Sequence, residues 1–320
     1  MISLDDRRYH VVLNPHSGGA IALGLTAESL KERFDAAGYV ATVDADCERP
    51  LEERIERAVA GDADTIVAAG GDGTVTAIAH SILDTAKTLA VLPTGTANLL
   101  ARDLSIPLDL DKAIAMLSEM HTRRIDVGEV NGRSFLHNVT VGQIPGIPVA
   151  REQIRGRSDL AATLGFAQHF LRRLARAKRL AVETALDGSP ARAQRVQAVS
   201  VANNAYDEGF GHVFSRARLD AGRLNVYTFK HLTLGDVVRL TLGMVLGRWQ
   251  KHEALTIESA CDVTLRLKRP SIMTMLDGEV EKMDLPLNFR LRPLALSVLA
   301  PAPAELAKDD TDQPEFVVGI

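Results

Sequence analysis

Three times in the first hundred residues, a short apolar run ends in a glycine-bearing loop, with helical periodicity further on. Residues 9–13 (YHVVL) run into Asn14-Pro15-His16-Ser17-Gly18-Gly19. Thr65–Ala69 (TIVAA) runs into Gly70-Gly71-Asp72-Gly73-Thr74, and residues 89–92 run into Pro93-Thr94-Gly95-Thr96-Ala97-Asn98. Residues 40–43 read as a further strand. Helical spacing covers residues 26–37 (closed by Gly38), 51–60, 74–83, 98–104 and 111–120. Strands alternating with helices predict βα units around a parallel sheet. Ligands bind such sheets at the loops after the carboxyl ends of the strands, where all three glycine loops fall.

The texture changes near Ile125. Short period-two runs at 124–130, 134–141, 198–202, 223–229, 254–259, 262–267, 271–276 and 294–299 predict antiparallel strands. Two helical stretches, 160–180 and 234–249, interrupt them. The expected organisation is an α/β domain over 1–126, a β-rich domain over 127–300 and a disordered tail over 301–320.

With 46% hydrophobic and 24% charged residues the chain has a globular composition, and aromatics at 4% leave the core to Leu, Val, Ile and Ala. A net charge of −4 argues against bulk nucleic-acid binding. Cys47 and Cys261 form neither a disulfide framework nor a zinc spacing. The start MISLDDRRYH is charged where a signal peptide needs an apolar stretch, and no apolar run reaches the ~18 residues that span a bilayer. The expectation is a cytoplasmic protein, at most peripheral to a membrane.

The loop 70–74 carries the sharpest chemistry. Glycines let backbone amides approach a phosphate, and the following helix N-terminus adds partial positive charge. Asp72 would repel a phosphate unless it holds Mg2+; the alternative is a tight turn with an Asp cap. The hydroxyls, Gly95 and Asn98 of the third loop suit nucleotide contacts. One anion-binding crevice accounts for all three loops.

These blocks resemble the diacylglycerol kinase catalytic-domain superfamily, specifically the bacterial lipid kinases related to diacylglycerol and sphingosine kinases. NPHSGG is similar to its NPxSG, AAGGDGTVTAIAHSI to its GGDGT block, and VLPTGTANLLARDLSIP to PxGTxNxxAR. The likeness continues through Arg124-Ile125-Asp126-Val127-Gly128 to Leu276-Asp277-Gly278-Glu279, over roughly residues 8–300. The resemblance implies an NAD kinase- and phosphofructokinase-like α/β domain plus a β-sandwich, with residues 291–300 able to return to the first domain. It also implies ATP and Mg2+ in the cleft between the two. Asn14, Pro15, Ser17, Gly18, Gly70, Gly71, Asp72, Gly73, Thr74, Gly95, Thr96 and Asn98 would hold the nucleotide, and Asp72 and Asp126 the metal. Asp277-Gly278 reads by itself as a hairpin turn. The resemblance places the catalytic acid there, with Asp277 and Glu279 both candidates for the base.

The chain departs from the family where others hold a structural Mg2+. Ala221 stands in the place of an Asp and Asp220 is one residue displaced, so no tight metal is expected at 218–225. A phosphoryl acceptor such as diacylglycerol is implied; a sphingoid base, a soluble polyol, or a nucleotide- or lipid-binding protein without turnover are the alternatives. Between Arg151 and Arg179 eight Arg/Lys face two acids. That stretch suits either an anionic lipid surface or a solvated helix face. Residues 234–249, with Met244 and Trp249, suit an acyl pocket or core packing. A homodimer is left open.

Overall fold

The computed structural model describes residues 7–142, 179–207, 215–230 and 252–302, with positions 233, 235, 236, 239, 240, 243, 249 and 250 between the last two. Its first part is the expected α/β unit. Strands β1 (Arg8–Leu13), β2 (Val40–Asp44), β3 (Thr65–Ala69) and β4 (Thr88–Leu92) pair in parallel in the order β2-β1-β3-β4. β3 is buried at every position, as a strand covered on both faces must be. Helices α1 (Gly18–Leu23), α2 (Ala27–Ala36), α3 (Leu51–Ala60), α4 (Asp72–Ile82), α5 (Leu99–Asp103) and α6 (Leu110–Ala115) connect and cover the strands. A reciprocal capping box between Thr26 and Ser29 starts α2, which buries Leu30 and Phe34, four residues apart on one face.

The second part is a sandwich. One layer is the sheet β12 (Leu255–Ala260), β11 (Leu224–Phe229), β10 (Ala198–Asn203), β7 (Asn138–Gly142), β14 (Ser271–Leu276), β15 (Glu279–Asp284), in that order and antiparallel. The other layer continues the first sheet through β16 (Leu287–Ala300), β13 (Asp262–Arg266), β8 (Leu180–Leu186) and β9 (Arg192–Val196). Val139, Val141, Val199, Val201, Val226, Val263 and Leu265 fill the space between the layers. Alternate residues of β10 and β11 face outward and are buried by Tyr206, Leu240 and Trp249, with the Trp249 ring stacked on Tyr227 at 5.8 Å. Trp249 is therefore a core residue. Met244, most of 160–180 and nearly all of the tail lie outside the described residues, and Leu180 opens β8.

Two long strands join the parts. β16 runs for 14 residues: its beginning pairs with β13, and its end pairs in parallel with β4 through Val298 and Leu89. β5 (His121–Val130) pairs with β16 along both halves, across a register shift between Arg292 and Leu296 that contains Pro293. Asp126 lies inside β5, so a boundary at 126 cuts a strand shared by both cores. Residues 134–141, read as one strand, make two: β6 (Arg133–Phe135) pairs with β5, and the chain turns at Leu136-His137 so that β7 enters the other sheet.

Candidate active site

The three glycine loops meet at the carboxyl ends of β1, β3 and β4. The Asn14 amide donates to the Ala69 carbonyl at 2.8 Å, hooking the first loop to the end of β3. The Ser17 hydroxyl and the Gly19 amide both donate to the Thr94 carbonyl at 2.9 Å. A Cβ on Gly19 would lie 2.6 Å from that carbonyl oxygen, and one on Gly95 would lie 2.9 Å from the Cα of Gly71. Glycine is needed here because backbone packs directly on backbone. Asn98, at φ 51°, accepts from the Gly95 amide at 2.8 Å and donates to its carbonyl at 3.0 Å, so its side chain closes its own loop.

α4 begins at Asp72, with Gly71 as its cap, and its first amides open toward the cleft. Asp72 is buried and accepts the Leu99 amide at 2.8 Å, tying the second loop to the start of α5. The Thr74 hydroxyl accepts from the side-chain Nδ2 of Asn14 at 3.4 Å.

β14 and β15 form the opposite wall. Asp277 and Gly278 have φ 45° and 91°, the two positive values of a type I′ hairpin turn, and Leu276 pairs with Glu279 across it. The two carboxylates of this hairpin differ in setting. Asp277 is buried and accepts four hydrogen bonds: from the amides of Leu136 (2.7 Å), His137 (2.8 Å) and Asn138 (3.0 Å), and from the Thr76 hydroxyl (3.1 Å). Burial holds its carboxyl above the usual carboxylate range, against the smaller opposing effect of the three amides and Thr76. Glu279 is exposed, and its carboxylate lies directly over Gly73, where any Cβ would collide with it.

Between these walls runs a cleft of about 1000 Å3, with one face of α4 as its floor. Asn14, Ser17, Gly18, Gly71, Asp72, Gly73, Thr74, Thr96, Asp277 and Glu279 line it. Pro15, Gly70, Gly95 and Asn98 are not among its lining residues; the last three shape the loops from behind. Asp126, expected at a metal, is also not on the cleft. Its buried carboxylate accepts the Gly222 amide at 2.7 Å and the Leu294 amide at 2.8 Å, so it anchors the irregular part of β16. Asp220 lies 3.5 Å from Arg123 and 3.6 Å from Arg218.

The structure adds residues that the motifs did not single out. Thr76, Ala77, His80 and Ser81 continue the α4 floor, and Leu51, Glu52 and Ile55 of α3 line the cleft beside the first loop. The three-and-four spacing from Gly73 was a signal that could have marked Thr76 and His80. Arg216 carried no such signal. Its guanidinium is fully buried, and every N–H finds an acceptor: Asp103 (2.6 and 3.0 Å), His137 Nδ1 (2.7 Å) and the carbonyls of Leu136 and Asn203 (both 2.7 Å). It links the end of α5 to the corner that grips Asp277.

The donors facing the cleft are hard oxygens, the carboxylates of Asp72 and Glu279, next to a helix N-terminus. That set fits Mg2+, which binds through one or two carboxylates together with phosphate oxygens. Among the described residues no group of three or more His, Cys, Asp or Glu forms a metal cage by itself, and no helix is long and apolar enough to cross a membrane.

Comparison with known proteins agrees with this architecture. The diacylglycerol kinase catalytic domain matches residues 8–130, and the YegS C-terminal NAD kinase beta sandwich-like domain matches residues 147–300. A Pseudomonas aeruginosa PAO1 protein named "Probable lipid kinase YegS-like" is 32% identical over 270 residues, covering 83% of this chain and 85% of the relative. The diacylglycerol kinase of Bacillus subtilis strain 168 is 27% identical, over 85% and 90% of the two chains. The crystal structure of a diacylglycerol kinase from Bacillus anthracis Sterne superposes with a TM-score of 0.70 at 20% identity, covering 93% of this chain and 98% of that one. With an α/β domain and a β-sandwich enclosing a glycine-lined cleft, the chain belongs to the diacylglycerol kinase family of lipid kinases.

Proposed function

We propose that the protein transfers the γ-phosphoryl group of ATP to a lipid hydroxyl, most simply the free hydroxyl of a diacylglycerol, with Glu279 as the general base. The observation that carries this reading is the Glu279 carboxylate seated over Gly73 of the glycine loop, opposite the first amides of α4. Those amides, with Asn14, Ser17 and Thr96, surround the space for the phosphates. Leu51 and Ile55 offer an apolar face for the base of the nucleotide, and Glu52 an acceptor for its amino group.

In the transfer the acceptor O–H bond breaks and its proton goes to Glu279. The acceptor oxygen bonds to the γ-phosphorus, and the bond from that phosphorus to the bridging oxygen breaks, releasing ADP. Asp277 acts through position: its four hydrogen bonds hold the hairpin that presents Glu279. Mg2+, held by Asp72 with the phosphate oxygens, would neutralise charge on the phosphates. Peripheral contact with an anionic bilayer belongs to the same reading. The basic stretch 151–179 supports it, although only Arg179 falls within the described residues.

A transfer assay with labelled ATP against diacylglycerol, ceramide, sphingosine and glycerol tests the proposal. Diacylglycerol should be labelled. Glu279→Gln should lower kcat by about 100-fold or more, the scale of removing a general base. Label on sphingosine or glycerol alone would replace the acceptor. Nucleotide binding with no labelled product would leave a binding protein, and an undiminished Glu279→Gln would remove the base.

A further inference from the structure

The glycine loops reach the cleft at the start of α4. Seven residues beyond Gly73, about 10 Å at 1.5 Å per residue, the same helix face carries His80. Gly73, Ala77 and Ser81 make the floor between, small residues one turn apart, so the cleft continues past the phosphate end. There His80 Nδ1 lies 3.1 Å from the hydroxyl of Ser134, which is buried on β6. The pair shows the cleft one donor and one acceptor in either tautomer. If Ser134 donates to Nδ1, the Nε2–H faces out as donor and the hydroxyl oxygen as acceptor. If Nδ1–H donates to Ser134, the hydroxyl proton and Nε2 exchange those roles. Arg133, paired with Glu281 at 3.0 Å, sits at the same rim.

We infer that the His80–Ser134 pair is the subsite that reads the acceptor, donating a hydrogen bond to an ester carbonyl next to the reacting hydroxyl of an acylglycerol. This rests on the lipid-kinase reading with Glu279 as base. With the nucleotide at the loop end and the hydroxyl at Glu279, the remainder of a small head group leaves along the floor toward His80. An ester carbonyl only accepts, and the pair always has a donor for it. A sphingoid ammonium would bring three donors to a single acceptor and a second cation to Arg133.

The test compares kcat/KM for a 1,2-diester glycerol and a 1,2-dialkyl-ether glycerol of equal chain length, in mixed micelles, for wild type, His80→Phe and Ser134→Ala. The wild type should prefer the diester by about tenfold, the scale of one lost neutral hydrogen bond. In both variants the ratio should fall toward unity through the KM for the diester, with the KM for ATP within about twofold of wild type and the melting temperature retained, changes that a general loss of structure would not give. A wild type that uses both lipids equally, or a ratio that neither variant moves, overturns the subsite alone. A wild type that phosphorylates neither lipid overturns the subsite together with the diacylglycerol reading of the acceptor.

Discussion

Asp72 and Asp277 show how two buried carboxylates beside one cleft differ in what they do. Asp277 has four donors on it, and the sequence around it, symmetric about Gly278, gave no means of separating it from Glu279. Asp72 receives the Leu99 amide and also faces the cleft. Asp72→Ala should therefore lower turnover at least ~100-fold, the scale of losing one electrostatic contact to the transition state. Asp72→Asn keeps an oxygen for the Leu99 amide, so it should melt near wild type yet remain as inactive as the alanine variant. Near-wild-type turnover of Asp72→Ala at saturating Mg2+ would end the proposed role.

Elements reach the cleft through a few buried side chains. Arg54 of α3 donates to the Leu13 carbonyl at 2.8 Å and to the Asp44 carboxylate at 2.9 Å, holding the ends of β1 and β2 where the first loop begins. Burial pushes the Asp44 carboxyl up, but the Asp46 amide and the Arg54 guanidinium outweigh it and hold the carboxyl below its usual range. A carboxyl lower in the folded than in the unfolded state adds stability that is fully present above the unfolded pKa, about 3.9, and is lost as pH falls through the folded pKa. Denaturation of Asp44→Asn should accordingly show less loss of stability below pH ~4 than wild type; parallel curves would contradict it. Arg216 does the equivalent work between α5 and the 136–138 corner. Arg216→Met leaves the Asp103 carboxylate buried without its partner and should cost about 3–5 kcal/mol in chemical denaturation. Adding Asp103→Leu should recover most of that loss, and the single variant should weaken turnover along with stability, because the corner holds Asp277.

On the scale of the whole molecule, β5 and β16 make the two cores mechanically continuous, and Asp126 braces the seam by satisfying the amides of Gly222 and Leu294. The neighbouring segment has Ala221 without a side-chain oxygen, and Asp220 lies beside Arg123 and Arg218. Mg2+ without nucleotide should barely raise the melting temperature. A site at 1,000-fold excess of metal over its dissociation constant would add about 4 kcal/mol, and Ala221→Asp should acquire part of that Mg2+-dependent rise. A large rise in the wild type would contradict the expectation that no tight metal sits at 218–225.

How much of this was legible follows from the range of the interactions. The glycine loops and the Asp277-Gly278 turn were readable because close backbone approach and positive φ act within a few residues. The buried strands β3 and β4 were readable from continuous apolar runs. α1 was hidden by the glycine pair that starts it, and β9 (RAQRV), at the open end of its sheet, has too many exposed polar residues to show a pattern. The break at Leu136-His137, the anchoring of Asp277 and the Arg216–Asp103 link had no local trace. Their partners lie 141 and 113 residues away in the chain, and only folding lets a buried charge choose them. The local chain thus set which chemistry stands at the cleft. The long-range packing set which carboxylate is tied down by the 136–138 corner and which is left exposed at the cleft, because desolvation and hydrogen-bond satisfaction act only once distant parts of the chain have packed together.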